Sequence, residues 1–256
     1  MFPIYIPSKG RHDLPITAAL LRAEGIPFHV VVDPCERNLY SKTFSAAEIL
    51  AVQFNGRGLP AARTWIKRHS QSSGERWHWQ LEDDISQFYY RPASKGLAKI
   101  SAQDCLSQIE RRVAVYKNIA AASPDHNSWP PKPEVPIKVN RCCHHAVLIN
   151  NENKIAWRQF LFEDLDYSLQ ALRAGFCTLL FCHLRFASVA PRKHGGGQTP
   201  RYGDNDKLFL HMGKIAKEWP PITATRLPDG RPQLRLNQIW STFNQRPIPV
   251  VEEPSI

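Results

Sequence analysis

Apolar positions near the start of the chain fall first in continuous runs and then at helical spacing. Ile4 to Ile6 is a short apolar run that stops at Pro7-Ser8-Lys9-Gly10-Arg11, which predicts a strand ending in a basic loop. Pro15 to Glu24 reads as a helix: Ile16, Leu20 and Ala23 share one face, Pro15 suits the first turn and Gly25 follows the end. Phe28 to Val32 is continuous, β-branched and bounded by Asp33-Pro34, as expected of a buried strand. Strand, helix, strand is the opening of a parallel α/β sheet.

The pattern continues in the same alternation. Ser45-Ala-Ala-Glu48 predicts a capping box for a short helix, Ala51 to Phe54 a third strand, and Pro60 to His69 a second helix entered from Gly56 and Gly58. Trp77 to Leu81 is a fourth strand, with a polar turn before it and acids after it. Ser101-Ala-Gln-Asp104 caps a long helix whose stripe is Cys105, Ile109, Val113, Tyr116 and Ala120. Five prolines between Ser123 and Pro136 predict a connecting loop that hangs over a site. Ala146 to Asn150 and Thr178 to Cys182 are strands, and Asp164 is expected to cap a helix running to about Ala174 before Gly175. Lys193 to Tyr202 is a glycine-rich basic loop, Asp206 to Trp219 a late helix, and Pro228-Asp-Gly230 a turn in a C-terminal extension.

Bulk properties narrow the setting. The length suits one α/β domain with a small appendage: residues 1–204 as a nucleotide-binding and catalytic domain and 205–256 as a helix and extension packing on it. No apolar run reaches the ~20 residues of a membrane span, and the N-terminus lacks a basic region ahead of its apolar part, so a cytoplasmic protein without a membrane partner is expected. The six cysteines form no CxxC pair and read as reduced, mostly buried thiols. A net charge of +10 favours a polyanionic partner, since each neutralised phosphate releases condensed counterions.

Four constellations carry candidate chemistry. Glu82-Asp83-Asp84 follows a buried strand; in an extended strand Glu82 and Asp84 share a face, and a divalent cation bridges such a pair or uses one of them with substrate phosphates. Glu163, Asp164 and Asp166 crowd a strand-to-helix corner, where a carboxylate can serve as general base. His194-Gly195-Gly196-Gly197, followed by Arg201, offers backbone N–H groups and positive charge to phosphate oxygens. Ser8, Lys9, Arg11 and Asp33 should reach the same sheet edge as Glu82, with Arg63 on the helix before it, forming a cradle for a nucleotide. Tyr89, Tyr90, Arg91, His144 and His145 are candidates for acceptor contacts.

Taken in order, YIPSKGR, VVDP, GLPAAR, WQLEDDI, FEDLDYSLQALRAGF and HGGG resemble the GT-A nucleotide-sugar glycosyltransferases. More narrowly they are similar to the TET/JBP-associated glycosyltransferases of bacteriophages, over roughly residues 1–202. The resemblance implies a GT-A, Rossmann-like, mostly parallel sheet with flanking helices. It implies Asp84 on a manganese or magnesium ion and Glu82, where the family pattern has Asp, towards ribose or metal-bound water. It places Ser8, Lys9, Arg11, Asp33 and Arg63 at the uridine and diphosphate of a UDP-sugar, with glucose or N-acetylglucosamine expected as the sugar. Asp83 falls inside the metal motif, Glu163 or Asp164 at the catalytic base, and His194 at a late metal or diphosphate contact beside Gly195 and Gly196. For phage members it implies an acceptor hydroxyl on a hydroxymethylpyrimidine in DNA, and for a phage-encoded chain the host cytoplasm. The residues themselves leave open a glycan or protein acceptor, a nucleotidyltransferase, and a non-catalytic DNA-binding module.

Overall fold

The computed structural model describes residues 1–91, 96–127, 135–189 and 204–250. Its centre is a ten-stranded sheet in the order β3-β2-β1-β4-β9-β7-β10-β5-β6, with β8 also paired to β10. The strands are β1 (Ile4–Pro7), β2 (His29–Val32), β3 (Ile49–Ala51), β4 (Trp77–Leu81), β5 (Ile85–Tyr90), β6 (Ala98–Ile100), β7 (Ile119–His126), β8 (Ile137–Val139), β9 (Ala146–Asn150) and β10 (Cys177–Ser188). β1 to β4 run parallel; β9, β5 and β8 are reversed, so seven strands point one way and the sheet is mainly parallel. Helices α1 (Ile16–Ala23), α2 (Arg37–Tyr40), α3 (Leu59–Ser72), α4 (Ala102–Ala114) and α5 (Glu163–Arg173) flank it.

The runs expected as β1, β2, β4 and β9 fold as strands because their side chains are buried on both sheet faces, which a continuous apolar run satisfies and a one-faced helix does not. Ser101 caps α4 as expected, its hydroxyl accepting the Asp104 N–H at 2.9 Å. Other expectations fail for local reasons. Glu48 does accept from the Ser45 N–H and hydroxyl, at 2.8 and 2.9 Å, but β3 begins at Ile49 and the box closes a turn rather than a helix. The third strand, predicted from Ala51, therefore starts two residues earlier, at Ile49. The α4 stripe ends with Val113, and Ala120 belongs to β7. Ser123 to His126 lies within β7 beside β10, so the front of the proline-rich segment is sheet; 128–134 lie outside the described residues.

Beyond α5 the chain builds a second layer. Helix α6 (Asn205–Glu218), the antiparallel ribbon β11 (Thr223–Arg226) and β12 (Pro232–Arg235), and α7 (Asn237–Trp240) follow. Ile215, Trp219, Ile222 and Ile239 bury themselves against Leu165 and Leu169 of α5. A polar staple fixes the junction: the fully buried Asp166 carboxylate accepts from Trp219 Nε1 and Gln170 Nε2, each at 2.8 Å, and from the Arg158 guanidinium, which also reaches Glu218. The loop into α5 is held from the other side by buried Lys67, whose ammonium donates to the Asn153 and Ile155 carbonyls at 2.8 and 2.7 Å. No helix among the described residues is long and apolar enough to cross a membrane.

Candidate active site

Because β2, β1 and β4 are adjacent and parallel, their carboxyl ends deliver Asp33, Ser8 and Glu82 to one sheet edge, where open α/β sheets bind ligands. Ser8 Oγ donates to Asp83 Oδ2 at 2.6 Å and meets the Tyr40 hydroxyl at 2.7 Å. Arg11 Nη1 pairs with Asp83 Oδ1 and lies 3.4 Å from Asp84 Oδ2. Lys9 Nζ and the Gly56 N–H both donate to Asp33 Oδ2 at 2.9 Å; Gly56 has φ +68, a conformation that favours glycine and brings this amide to the carboxylate. The expected convergence is therefore present in the geometry.

The acidic triplet sits differently from its expected extended form. β4 ends at Leu81 and β5 starts at Ile85, so Glu82-Asp83-Asp84 is a turn between two strands. Buried Thr17 pins that turn: its hydroxyl donates to the Glu82 carbonyl, its N–H to the Asp83 carbonyl at 3.2 Å, and its oxygen accepts the Ile85 N–H at 2.8 Å. Alternation no longer applies, and the side chains diverge. Glu82 turns to His145 Nδ1 and to Arg63 Nη2 at 3.5 Å, while Asp84 turns to Arg11. Burial works against ionising Glu82, but His145 and Arg63 outweigh it and hold its pKa down to about 2. Burial, with Glu82 and Asp83 close by, pushes Asp84 up to about 6.

Arg63 is the hub beneath the edge. Its guanidinium is fully buried, bonds Gln80 Oε1 at 3.2 Å, and lies 3.5, 3.8 and 3.4 Å from Glu82, Glu163 and Asp164. Placed under three carboxylates, it is inside the site rather than on an open wall. The α5 acids arrive in the first helical turn. Asp164 was expected to cap the helix, but α5 starts at Glu163 with Phe162 at the cap position, and the Asp164 carboxylate turns to Arg63 instead. Burial, then the neighbouring Asp164, pushes Glu163 up to about 8; burial also raises Asp164.

Histidines complete the edge. β9 is antiparallel to β4, so its entry places His145 against Glu82, and β7 brings His126 to the same end. His145 has φ +60, a rare backbone state for a side chain with a Cβ, in keeping with strain held at functional sites. Burial would lower its pKa, yet the Glu82 carboxylate raises it to about 9. His144, buried, falls to about 3, and His126 is lowered by burial and by His145. His144 and His145 had been singled out only as acceptor contacts; the Glu82 pairing depends on β9 running antiparallel to β4, as does the placement of His126. Thr17 and Tyr40 left no sequence signal, being ordinary residues of α1 and α2. Tyr89, Tyr90 and Arg91 lie along and after β5, roughly 16 Å or more from Asp84 at the strand rise. His194, Gly195, Gly196 and Arg201 lie outside the described residues.

The residues fit a divalent cation at Asp84. Its Oδ1 is buried without a hydrogen-bond partner among the described residues, an arrangement a bound cation would satisfy. Among the described residues no three His, Cys, Asp or Glu side chains gather as a ligand set.

The model of the TET-Associated Glycosyltransferase family matches residues 2–197. The chain belongs to that family. Its family is thus one of glycosyltransferases, and its fold is mixed α/β with a mainly parallel central sheet. Among solved structures it is similar to A197 from STIV, with 13% identity, 74% of this chain and 86% of that chain covered, and a TM-score of 0.44. A protein assigned as a nucleotide-diphospho-sugar transferase from Desulfovibrio desulfuricans G20 gives 11%, 74%, 83% and 0.44, and the inositol-1-phosphate CTP transferase from T. maritima 13%, 85%, 97% and 0.41. A search of curated proteins found no match. Identities of this size carry over neither a substrate nor a residue role. For this glycosyltransferase the family match stops at 197, so α6, the ribbon and α7 lie beyond it.

Proposed function

We propose that the enzyme transfers a sugar from a UDP-sugar to the hydroxyl of a hydroxymethylpyrimidine in DNA, with manganese or magnesium at Asp84. The observation that carries the reading is the buried Asp84 Oδ1, without a hydrogen-bond partner among the described residues, at the carboxyl edge of parallel strands and beside Arg11. Asp33 and Lys9 bind the uridine side of the donor, and Ser8 and Arg11 hold Asp83 and Asp84 in place for the diphosphate. A bound cation there supplies positive charge to the departing diphosphate. Asp84 through Oδ1 is its principal protein ligand; Glu82 is taken by His145 and Arg63 and orients the sugar side, and His194 is the candidate for a further contact. Burial raises the pKa of both Glu163 and Asp164 and Arg63 opposes it in each; Asp164, the closer to that guanidinium at 3.4 Å, is the candidate base that removes the acceptor proton. Glucose or N-acetylglucosamine is the expected sugar. The +10 charge supports a nucleic-acid acceptor, met in the major groove or as an extruded base.

The test is a thermal-shift screen of nucleotide sugars with manganese or magnesium, followed by mass spectrometry of hydroxymethylated DNA treated with the best donor. A metal-dependent shift with a UDP-sugar and the mass of one hexose or N-acetylhexosamine added to the DNA are expected. Release of pyrophosphate in place of UDP, or transfer only to a glycan or protein, overturns the corresponding part of the reading.

A further inference from the structure

The ribbon β11–β12 lies beyond the family match and has a face of its own chemistry. Register places Thr223 opposite Arg235 and Thr225 opposite Gln233 on one face, with Ala224 opposite Leu234 and Arg226 opposite Pro232 on the other. The second face is turned inward: Leu234 joins the apolar cluster containing Leu165 of α5, and Arg226 lies over the Phe209 ring and pairs with Asp206 of α6. The first face is open at Thr223, Gln233 and Arg235, which are exposed, as is Arg231, which follows the same alternation; Thr225 between them is half-buried. Charge on this layer is one-sided. Its acids are engaged, Asp204 with Lys207, Asp206 with Arg226, Asp229 with Arg231 and Glu218 with Arg158. Arg235, Lys214 and Lys217 form no ion pair with a described residue. On α6, Lys207, Lys214 and Lys217 are exposed at spacings of seven and three residues, a stripe about 15 Å long on the side away from buried Met212, Ile215 and Trp219.

We propose that the open face of the β11–β12 ribbon, with Arg231, Gln233 and Arg235, docks duplex DNA, and that it thereby presents the acceptor to the edge carrying Asp164. The major groove, ~12 Å wide, admits a two-stranded ribbon. Arginines reach phosphates or guanine edges there, and glutamine has the donor and acceptor needed for adenine. The link to the catalytic edge is short: Leu165 follows Asp164 directly, and its side chain shares a cluster with Leu234 of the ribbon. This surface rests on the reading of the acceptor as DNA.

The experiment measures binding of the full chain to a fluorescent duplex carrying hydroxymethylated pyrimidines, across a salt series. Arg231→Ala with Arg235→Ala is expected to flatten the log K against log salt slope by about 1.8, at about 0.9 per lost phosphate contact. That slope corresponds to roughly thirtyfold weaker binding at 0.15 M salt, taking 1 M salt as the level where the contacts vanish. Arg235→Glu, a single exposed change, should weaken binding further at that position. Donor-induced thermal shift and sugar transfer to a hydroxymethylated mononucleotide, too small to span the ribbon, should stay at wild-type levels. Wild-type affinity and salt slope in both variants overturn the docking surface and leave the acceptor reading standing. A wild-type enzyme that binds no duplex overturns the surface as well, and its transfer to a mononucleotide or only to a glycan then decides the acceptor reading separately.

Discussion

Replacing Arg63 by methionine isolates the charge at the hub while keeping most of the volume. The wild-type guanidinium is fully buried within 3.4 to 3.8 Å of Glu82, Glu163 and Asp164. Without it Glu82 keeps its contact with His145, while Gln80 Oε1 loses its 3.2 Å donor. Removing one partner of a buried pair costs about 3–5 kcal/mol, because the other charge stays buried and uncompensated. For a chain of this size that is a fall in Tm of about 6–20 °C. The cost must depend on pH. Arg63 lowers the pKa of Glu163 and Asp164 against the effect of burial, so its loss raises both further. An acid whose folded pKa lies above its unfolded value makes the fold less stable as pH rises, since the unfolded chain gives up its proton first. The Tm deficit of Arg63→Met should therefore widen between pH 5 and pH 8, and the acid limb of the transfer-rate profile should move to higher pH as Asp164 keeps its proton. Circular-dichroism melts at the two pH values check this. A deficit under about 2 °C at pH 8, or one of equal size at both pH values, refutes the account of Arg63 as the counter-charge of the cluster.

Other outcomes follow from the same geometry. Glu163, raised from 4.5 to about 8, should make the wild-type enzyme lose stability as pH rises through that window; Glu163→Gln should flatten the dependence, and an unchanged slope in parallel melts counts against it. Asp84→Ala should abolish the manganese-dependent part of a UDP-sugar thermal shift and cut transfer by at least about a hundredfold while the apo Tm stays within a few degrees, the loss being one of charge stabilisation; retained activity would sink the metal role. Trp219→Phe removes a 2.8 Å bond to the fully buried Asp166 carboxylate, worth about 1.5–3 kcal/mol, so a Tm fall of about 3–12 °C is expected in calorimetry. Asp164→Asn should stop transfer with donor binding intact, whereas full activity in that variant would move the base to another residue.

The chain's own pattern was enough for β1, β2, β4 and β9, for α1, α3 and α4, and for the family, because buried runs, caps and short motifs are local properties. It also brought Ser8, Asp33 and Glu82 to one edge, since parallel neighbouring strands must end together. What it did not contain was direction in space. Glu82 and Asp84 looked like two teeth of one strand, and a turn held by Thr17 separates them, giving Glu82 to His145 and Arg63 and leaving Asp84 Oδ1 without a partner among the described residues. The choice between Glu163 and Asp164 likewise rests on burial and on the distance to a single guanidinium more than a hundred residues upstream of Asp164. β10 was read as the shorter Thr178 to Cys182, and β7 was not read as a strand, its residues being divided between the α4 stripe and the proline-rich loop, because a strand that continues through Pro124 is sustained by its neighbours rather than by its own propensity. Residue types fix which groups are available to a site, but only packing sets which of them face one another, and the pKa values and counter-charges follow from that facing.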